Sequence, residues 1–206
     1  DARNERTSRN AFEALTESQA LRCPQADGTC FLPQLPYGAI VQDAGRRRAN
    51  TWWPVETSKK KGDVSRFLTH IQKLFPDTHD QTVVLSYMAA TIQHPGVKFQ
   101  FALFIQGVEG NGKTFLSRAL AECLGRRYVH WPKASKIAKQ FNGWMVGKVL
   151  FCVEDIHTSE HTDVIEELKV MITGGDGLEI EAKGVDQVSA EICGNFMVNS
   201  NHKSGV

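Results

Sequence analysis

Residues Gly107 to Thr114 read G-V-E-G-N-G-K-T, an instance of the pattern G-x-x-x-x-G-K-[ST]. The spacing suits a phosphate for a physical reason. Glycines let the main chain curl so that successive N–H groups point at one anion, and a helix opening behind the loop adds positive potential. Gly107, Val108, Glu109, Gly110, Asn111 and Gly112 then form the cradle. Lys113 reaches the β and γ phosphates of a nucleotide, and the Thr114 hydroxyl holds Mg²⁺.

Such a site needs acid to hold the metal and aim water, best carried at the carboxyl end of an adjacent parallel strand. Glu154 and Asp155 close the apolar run V-L-F-C-V at Val149 to Val153, 41 residues beyond Lys113. We assign Glu154 to the metal, through its water shell, and Asp155 to the attacking water. A third run, N-F-M-V-N-S-N, ends on Asn201, 47 residues after Glu154. An amide there offers donor and acceptor together, for a γ phosphate and a lytic water. Other clusters are less specific. Arg46 to Arg48 beside Trp52 and Trp53 reads either as a single-strand platform or as packing of a lead-in onto the core. Lys59 to Lys61 reads as solvated linker, and His157 with His161 lacks a third metal ligand.

Elements must hold these groups. Up to about Asp63 the chain is rich in Pro, Gly, Arg and Asn, which predicts an extended lead-in over 1–62 with one short helix near Ala11 to Leu21. Val64, Phe67, Leu68, Ile71, Leu74 and Phe75 make one helical stripe that Pro76 ends. A second helix follows Asp77 or Thr78 as N-cap and stops at His94-Pro95-Gly96, giving a small helical subdomain over 63–97. From Lys98, F-Q-F-A-L-F-I and V-L-F-C-V read as short buried strands, with a helix carrying Leu116, Ala119, Leu120, Cys123 and Leu124 between them. Strand, helix, strand at this spacing predicts an α/β core with a parallel sheet over 98–206. Val164, Leu168, Met171 and Ile172 predict a further helix ending at Gly174-Gly175. Strict alternation at Leu178, Ile180 and Ala182, resumed at Val188, Ala190 and Ile192, predicts a β-hairpin with its tip at Lys183 to Gln187.

Bulk composition narrows the partners. The 206 residues carry 24 Lys plus Arg against 23 Asp plus Glu, a net charge of +1, so nucleic-acid contact must be local. No apolar run approaches the roughly twenty residues of a membrane span, and the opening D-A-R-N-E-R-T-S-R-N does not read as a signal, having no apolar stretch behind a basic one. Five cysteines without paired zinc spacing predict a reducing, cytoplasmic compartment. The sequence opens on Asp1, which reads as a piece cut from a longer polypeptide.

Taken in order, the phosphate loop, Glu154-Asp155, L-K-V-M-I-T-G-G at Leu168 to Gly175, the hairpin with Lys183-Gly184 and the strand ending in Asn201 resemble the superfamily 3 helicases of viruses and plasmids. More narrowly, they resemble the helicase module of phage and plasmid primase-helicase proteins. R-R-R-A-N-T-W-W-P at Arg46 to Pro54, I-Q-H-P-G-V-K at Ile92 to Lys98 and K-Q-F-N at Lys139 to Asn142 are similar too, so the likeness runs from roughly Gly38 to His202. It implies a P-loop NTPase of the AAA+-like kind, with a parallel sheet core, a β-hairpin insertion and a small N-terminal helical subdomain. ATP and Mg²⁺ are the implied ligands. Asn201 matches the polar sensor, and Lys183 with Gly184 matches the hairpin that grips the DNA backbone inside a ring. The bland reading of Lys183 is a surface lysine balanced by Glu179 and Glu181. The implied assembly is a homo-hexamer acting on single-stranded or forked DNA in the host cytoplasm. Two departures stand out. No arginine finger follows the sensor strand before Val206, so the chain is expected to bind ATP and hydrolyse it slowly, since a finger contributes roughly 10³ to 10⁵ in rate. No primase signature is present either. A GTPase is disfavoured because N-K-x-D occurs nowhere, and a P-loop kinase because no Arg-rich lid is visible. A nucleotide-gated DNA clamp with negligible turnover remains the rival from the binding class.

Overall fold

A computed structural model of the chain describes residues 10–16, 25–56, 60–137, 142–154, 156, 162–174, 179–180, 188–189 and 192–201. In chain order its elements are α1 (Ala11–Thr16), β1 (Gly28–Cys30), β2 (Ile40–Asp43), β3 (Arg46–Asn50), α2 (Ser65–Leu74), α3 (Thr78–Gln93), β4 (Leu103–Gln106), α4 (Lys113–Leu124), β5 (Val129–His130), α5 (Ala134–Ile137), β6 (Leu150–Glu154), α6 (Thr162–Thr173), β7 (Glu179–Ile180), β8 (Val188–Ser189) and β9 (Asn195–Ser200).

Among the described residues, β4, β9, β6 and β5 form one sheet in that spatial order, and every neighbouring pair is parallel. The fold is therefore α/β. Its central strands β6 and β9 are buried on both faces because helices cover both, whereas β4, at the edge, alternates buried and exposed residues. Leu103, Ile105, Leu150, Cys152 and Met197 meet Leu116, Leu120, Ala121 and Leu124 of α4 and Val84, Tyr87 and Met88 of α3. Phe151, Val153, Phe196 and Val198 meet Val164, Leu168 and Met171 of α6 on the other side.

The two N-terminal helices fall where the stripes place them. Asp77 caps α3, its carboxylate accepting from the His79 N–H at 2.6 Å, and Pro76 separates α3 from α2. β4 starts only at Leu103, although the apolar run begins at Phe99. The earlier residues make an aromatic pad instead. Phe99 stacks on Phe101 and both stand against Tyr87, while the Phe99 N–H donates to the Asn195 side chain. Lys98 braces the far layer, its ammonium donating to the carbonyls of Met171 and Gly194 at 2.8 and 2.9 Å.

The lead-in is less extended than its composition suggests. β1, β3 and β2 make a three-stranded sheet, with β3 parallel to β1 and antiparallel to β2. One amide organises the segment: the Asn50 side chain, 1% exposed, donates to the carbonyls of Leu32, Leu35 and Pro36 and accepts from the N–H groups of Leu32 and Trp52. Trp52 is buried against Phe31 and Tyr128, packing this sheet onto the core. Arg48 pairs with Asp43 at 3.3 Å, and Trp53 lies against Tyr37. α1 ends at Thr16, and the rest of the predicted Ala11–Leu21 helix lies outside the described residues. β7 and β8 pair antiparallel, Ile180 with Val188, as the alternation predicts, while Lys183, Gly184 and the tip lie outside the described residues. Among the described residues, no helix is long and apolar enough to cross a membrane.

Candidate functional site

The loop from Gly107 to Gly112 joins the end of β4 to the start of α4. Two glycines make its turns, Gly110 at φ +75 and Gly112 at φ +101, in a region that side chains rarely adopt. At Gly112 there is also no room: a Cβ would collide with the imidazole of His70 on α2. That ring donates from Nε2 to the Gly112 carbonyl at 3.3 Å.

Lys113 is only 5% exposed. Its ammonium folds back over the loop, donating to the carbonyls of Gly107 at 2.7 Å and Val108 at 2.8 Å and to Asn111 Oδ1 at 3.1 Å. The Gly107 N–H donates to the Ser200 carbonyl at 3.1 Å, tying the start of the loop to the end of β9. Beside Lys113, the Thr114 hydroxyl donates to Glu154 Oε2 at 3.3 Å. Ser117, one turn along α4 and fully buried, shares its one hydroxyl proton between the Thr114 carbonyl at 2.9 Å and Glu154 Oε1 at 3.3 Å. Sequence reasoning passed over Ser117. The available signal was its i+3 spacing from Thr114, which puts both hydroxyls on one face of a helix.

Glu154 arrives from a different place than the spacing suggests. Its strand, β6, is not next to β4, because β9 lies between them with Asn199 opposite both Ile105 and Glu154. The order of elements along the chain does not fix their order across a sheet, and here the later strand is inserted at the centre. Glu154 still reaches α4 because that helix lies over the gap. Asp155, His157 and His161 lie outside the described residues. Asn201 is half-buried immediately beyond β9. Asn199, which the sequence did not single out, is 3% exposed, and among the described residues neither its amide nitrogen nor its oxygen finds a hydrogen-bond partner.

From Thr114 and Glu154 a cleft of about 410 Å³ runs along α4, lined also by Arg118, Glu122, Arg126 and Trp131. Arg126 is engaged there, Nε donating to Glu122 at 2.7 Å. Burial pushes the Cys152 thiol well above its usual range, and the Glu154 carboxylate adds to the shift, so this cysteine stays a neutral core residue. Among the described residues, no cluster of three His, Cys, Asp or Glu side chains gathers around a metal position. A cation at this site would rely on Thr114, Glu154 and ligand oxygens.

Residues 105–206 match the model of a family of unknown function, DUF5906. No curated protein matches the chain. Among solved structures, the A form apo structure of the NrS-1 C-terminal region superposes with a TM-score of 0.70 at 20% identity, over 89% of this chain and 44% of that one. An apo structure of NrS-1 C-terminal region 305–718 gives 0.71 at 20% identity, over 95% and 48%. The A form of 305–718 gives 0.66 at 21%, over 87% and 43%. The chain spans less than half the length of these structures, and likeness at such identity establishes a shared α/β fold.

Proposed function

We propose that the chain is the ATP-binding and ATP-hydrolysing module of a replicative helicase of the superfamily 3 kind, with a P-loop NTPase core. The observation that carries this reading is convergence at one mouth: the Gly107–Thr114 loop, the Lys113 ammonium, and the Thr114 hydroxyl on a carboxylate delivered by another strand. The donor set suits ATP with Mg²⁺, which binds through one or two carboxylates and phosphate oxygens while keeping several waters. When bound, the ion neutralises charge developing on the phosphates. The chain's own residues do the rest. Main-chain N–H groups from Gly110 to Thr114 orient the phosphates, and Lys113 exchanges its loop carbonyls for phosphate oxygens. Thr114 and Glu154 hold the metal, Ser117 fixes the Glu154 rotamer, Asp155 accepts the proton of the attacking water, and Asn201 hydrogen-bonds the γ phosphate. Attack is in line, so positioning and charge stabilisation supply most of the rate. Lys183 and Gly184 on the hairpin grip single-stranded or forked DNA, in a homo-hexameric ring working in the host cytoplasm.

Two measurements test this. Lys113→Ala is expected to abolish Mg-ATP binding by calorimetry, and in a polypeptide that extends past Val206 single-stranded DNA is expected to stimulate ATP hydrolysis by the wild type but not by Lys183→Ala. Equal ATP affinity of wild type and Lys113→Ala would refute the nucleotide site. Hydrolysis indifferent to DNA would refute the motor and leave a plain ATPase.

A further inference from the structure

Which end of the nucleotide lies where is decided by the two faces of α4. Thr114 and Ser117 turn toward Glu154, marking the side of the metal and terminal phosphates. Phe115, one residue on and about 100° round the helix, turns toward α2. Its ring stands edge-on to His70, centroids 5.1 Å apart, and 6.3 Å from Phe67. A nucleoside whose phosphates run toward Glu154 leaves the loop on this opposite side.

A single exposed phenyl means little by itself. This one is 48% exposed at the edge of a group that is anchored to the loop, because the His70 ring it touches is hydrogen-bonded to Gly112. The aromatic surface is thus held at a fixed offset from the phosphate cradle. We propose that Phe115, His70 and Phe67 form the platform on which the base of the bound nucleoside triphosphate lies, and that its occupant is a purine. Two fused rings offer more stacking area than one, and stacking is tolerant of which purine is present. The proposal rests on the nucleotide-site reading above and adds the base to it.

The test compares two ligands, each with Mg²⁺: ATP, and inorganic triphosphate, which has the phosphates and no base. Equilibrium binding to the intact chain is measured by calorimetry. Phe115→Ala is expected to weaken ATP roughly five- to 150-fold, the range for losing one base–aromatic stack, while leaving triphosphate affinity unchanged. His70→Ala is expected to act in the same direction, and Phe115→Tyr to restore ATP binding. Far-ultraviolet circular dichroism checks that each variant folds. If triphosphate binds but Phe115→Ala and His70→Ala both leave the ratio of ATP to triphosphate affinity unchanged, the three rings merely pack α2 on α4 and the platform is refuted, with the phosphate loop untouched. If neither ligand binds the wild type, both the platform and the nucleotide site fall.

Discussion

Asn199 offers a sharp test because removing it should make the protein stronger. The residue sits in β9 opposite Ile105 and Glu154, and both polar atoms of its amide are buried without a partner among the described residues. Burying an unsatisfied amide costs roughly 1–3 kcal/mol by the measure of protein mutations. Asn199→Leu replaces the amide with methyl groups of nearly the same shape and removes that cost. For a chain of 150–250 residues each kcal/mol moves the melting temperature by about 2–4 °C, so the variant should melt roughly 2–12 °C higher. The gain has a functional counterpart. An amide retained at such a cost, between the phosphate-loop strand and the acid strand, is expected to serve the bound state, so the same variant should hydrolyse ATP more slowly. Differential scanning calorimetry reads the first effect and steady-state phosphate release the second. A variant that melts at or below the wild-type temperature refutes the reasoning, since it means the amide is satisfied in the folded protein.

Gly112→Ala is expected to cost about 1–2 kcal/mol for the positive φ, plus roughly 0.5–1.5 kcal/mol for losing the His70 hydrogen bond as the ring is displaced. In the His70→Gly background only the first cost should remain, a coupling that a double-mutant cycle in urea measures. Lys98 gives a pH signature. Burial lowers its pKa from 10.5 to about 8, so between those values the unfolded chain binds more protons than the folded one and the contribution of this group to stability rises with pH. Lys98→Met removes that slope. The unfolding free energy of wild type minus variant should climb from pH 8 toward 10.5 and stay flat below 8; a difference constant across that window overturns the assignment.

Much of the core was legible because its signals are local. Helical stripes placed α2 and α3, the aspartate cap placed the start of α3, and a loop of glycines before a helix placed Lys113 and Thr114. What stayed hidden depends on contacts distant in sequence. R-R-R-A-N has no apolar alternation, so β3 does not announce itself; it is built by the Asn50 side chain gathering carbonyls from 14 to 18 residues away. The centre of the parallel sheet was hidden for the same reason. Nothing local in N-F-M-V-N-S says that it slots between β4 and β6, and so nothing marks Asn199 as the residue beside Glu154. Ser117 reads as an ordinary helix serine until a carboxylate from β6 lies over it.

The insertion of β9 also dictates a sequence of events during synthesis. The strand that leads into Gly107 and the strand that ends on Glu154 have no ladder to one another; each is hydrogen-bonded to β9. As the polypeptide leaves the ribosome, both wait with an open flank until residues 195–200 emerge and wedge between them. Closing contacts so far apart in the chain is intrinsically slow. Those bare flanks are exposed for that whole interval to pairing with other nascent chains. A stop codon placed just before Asn195 would leave every residue of the phosphate loop in the product and still yield a protein in which the strand ending on Glu154 keeps only its short ladder to β5 and has nothing to tie it to the loop.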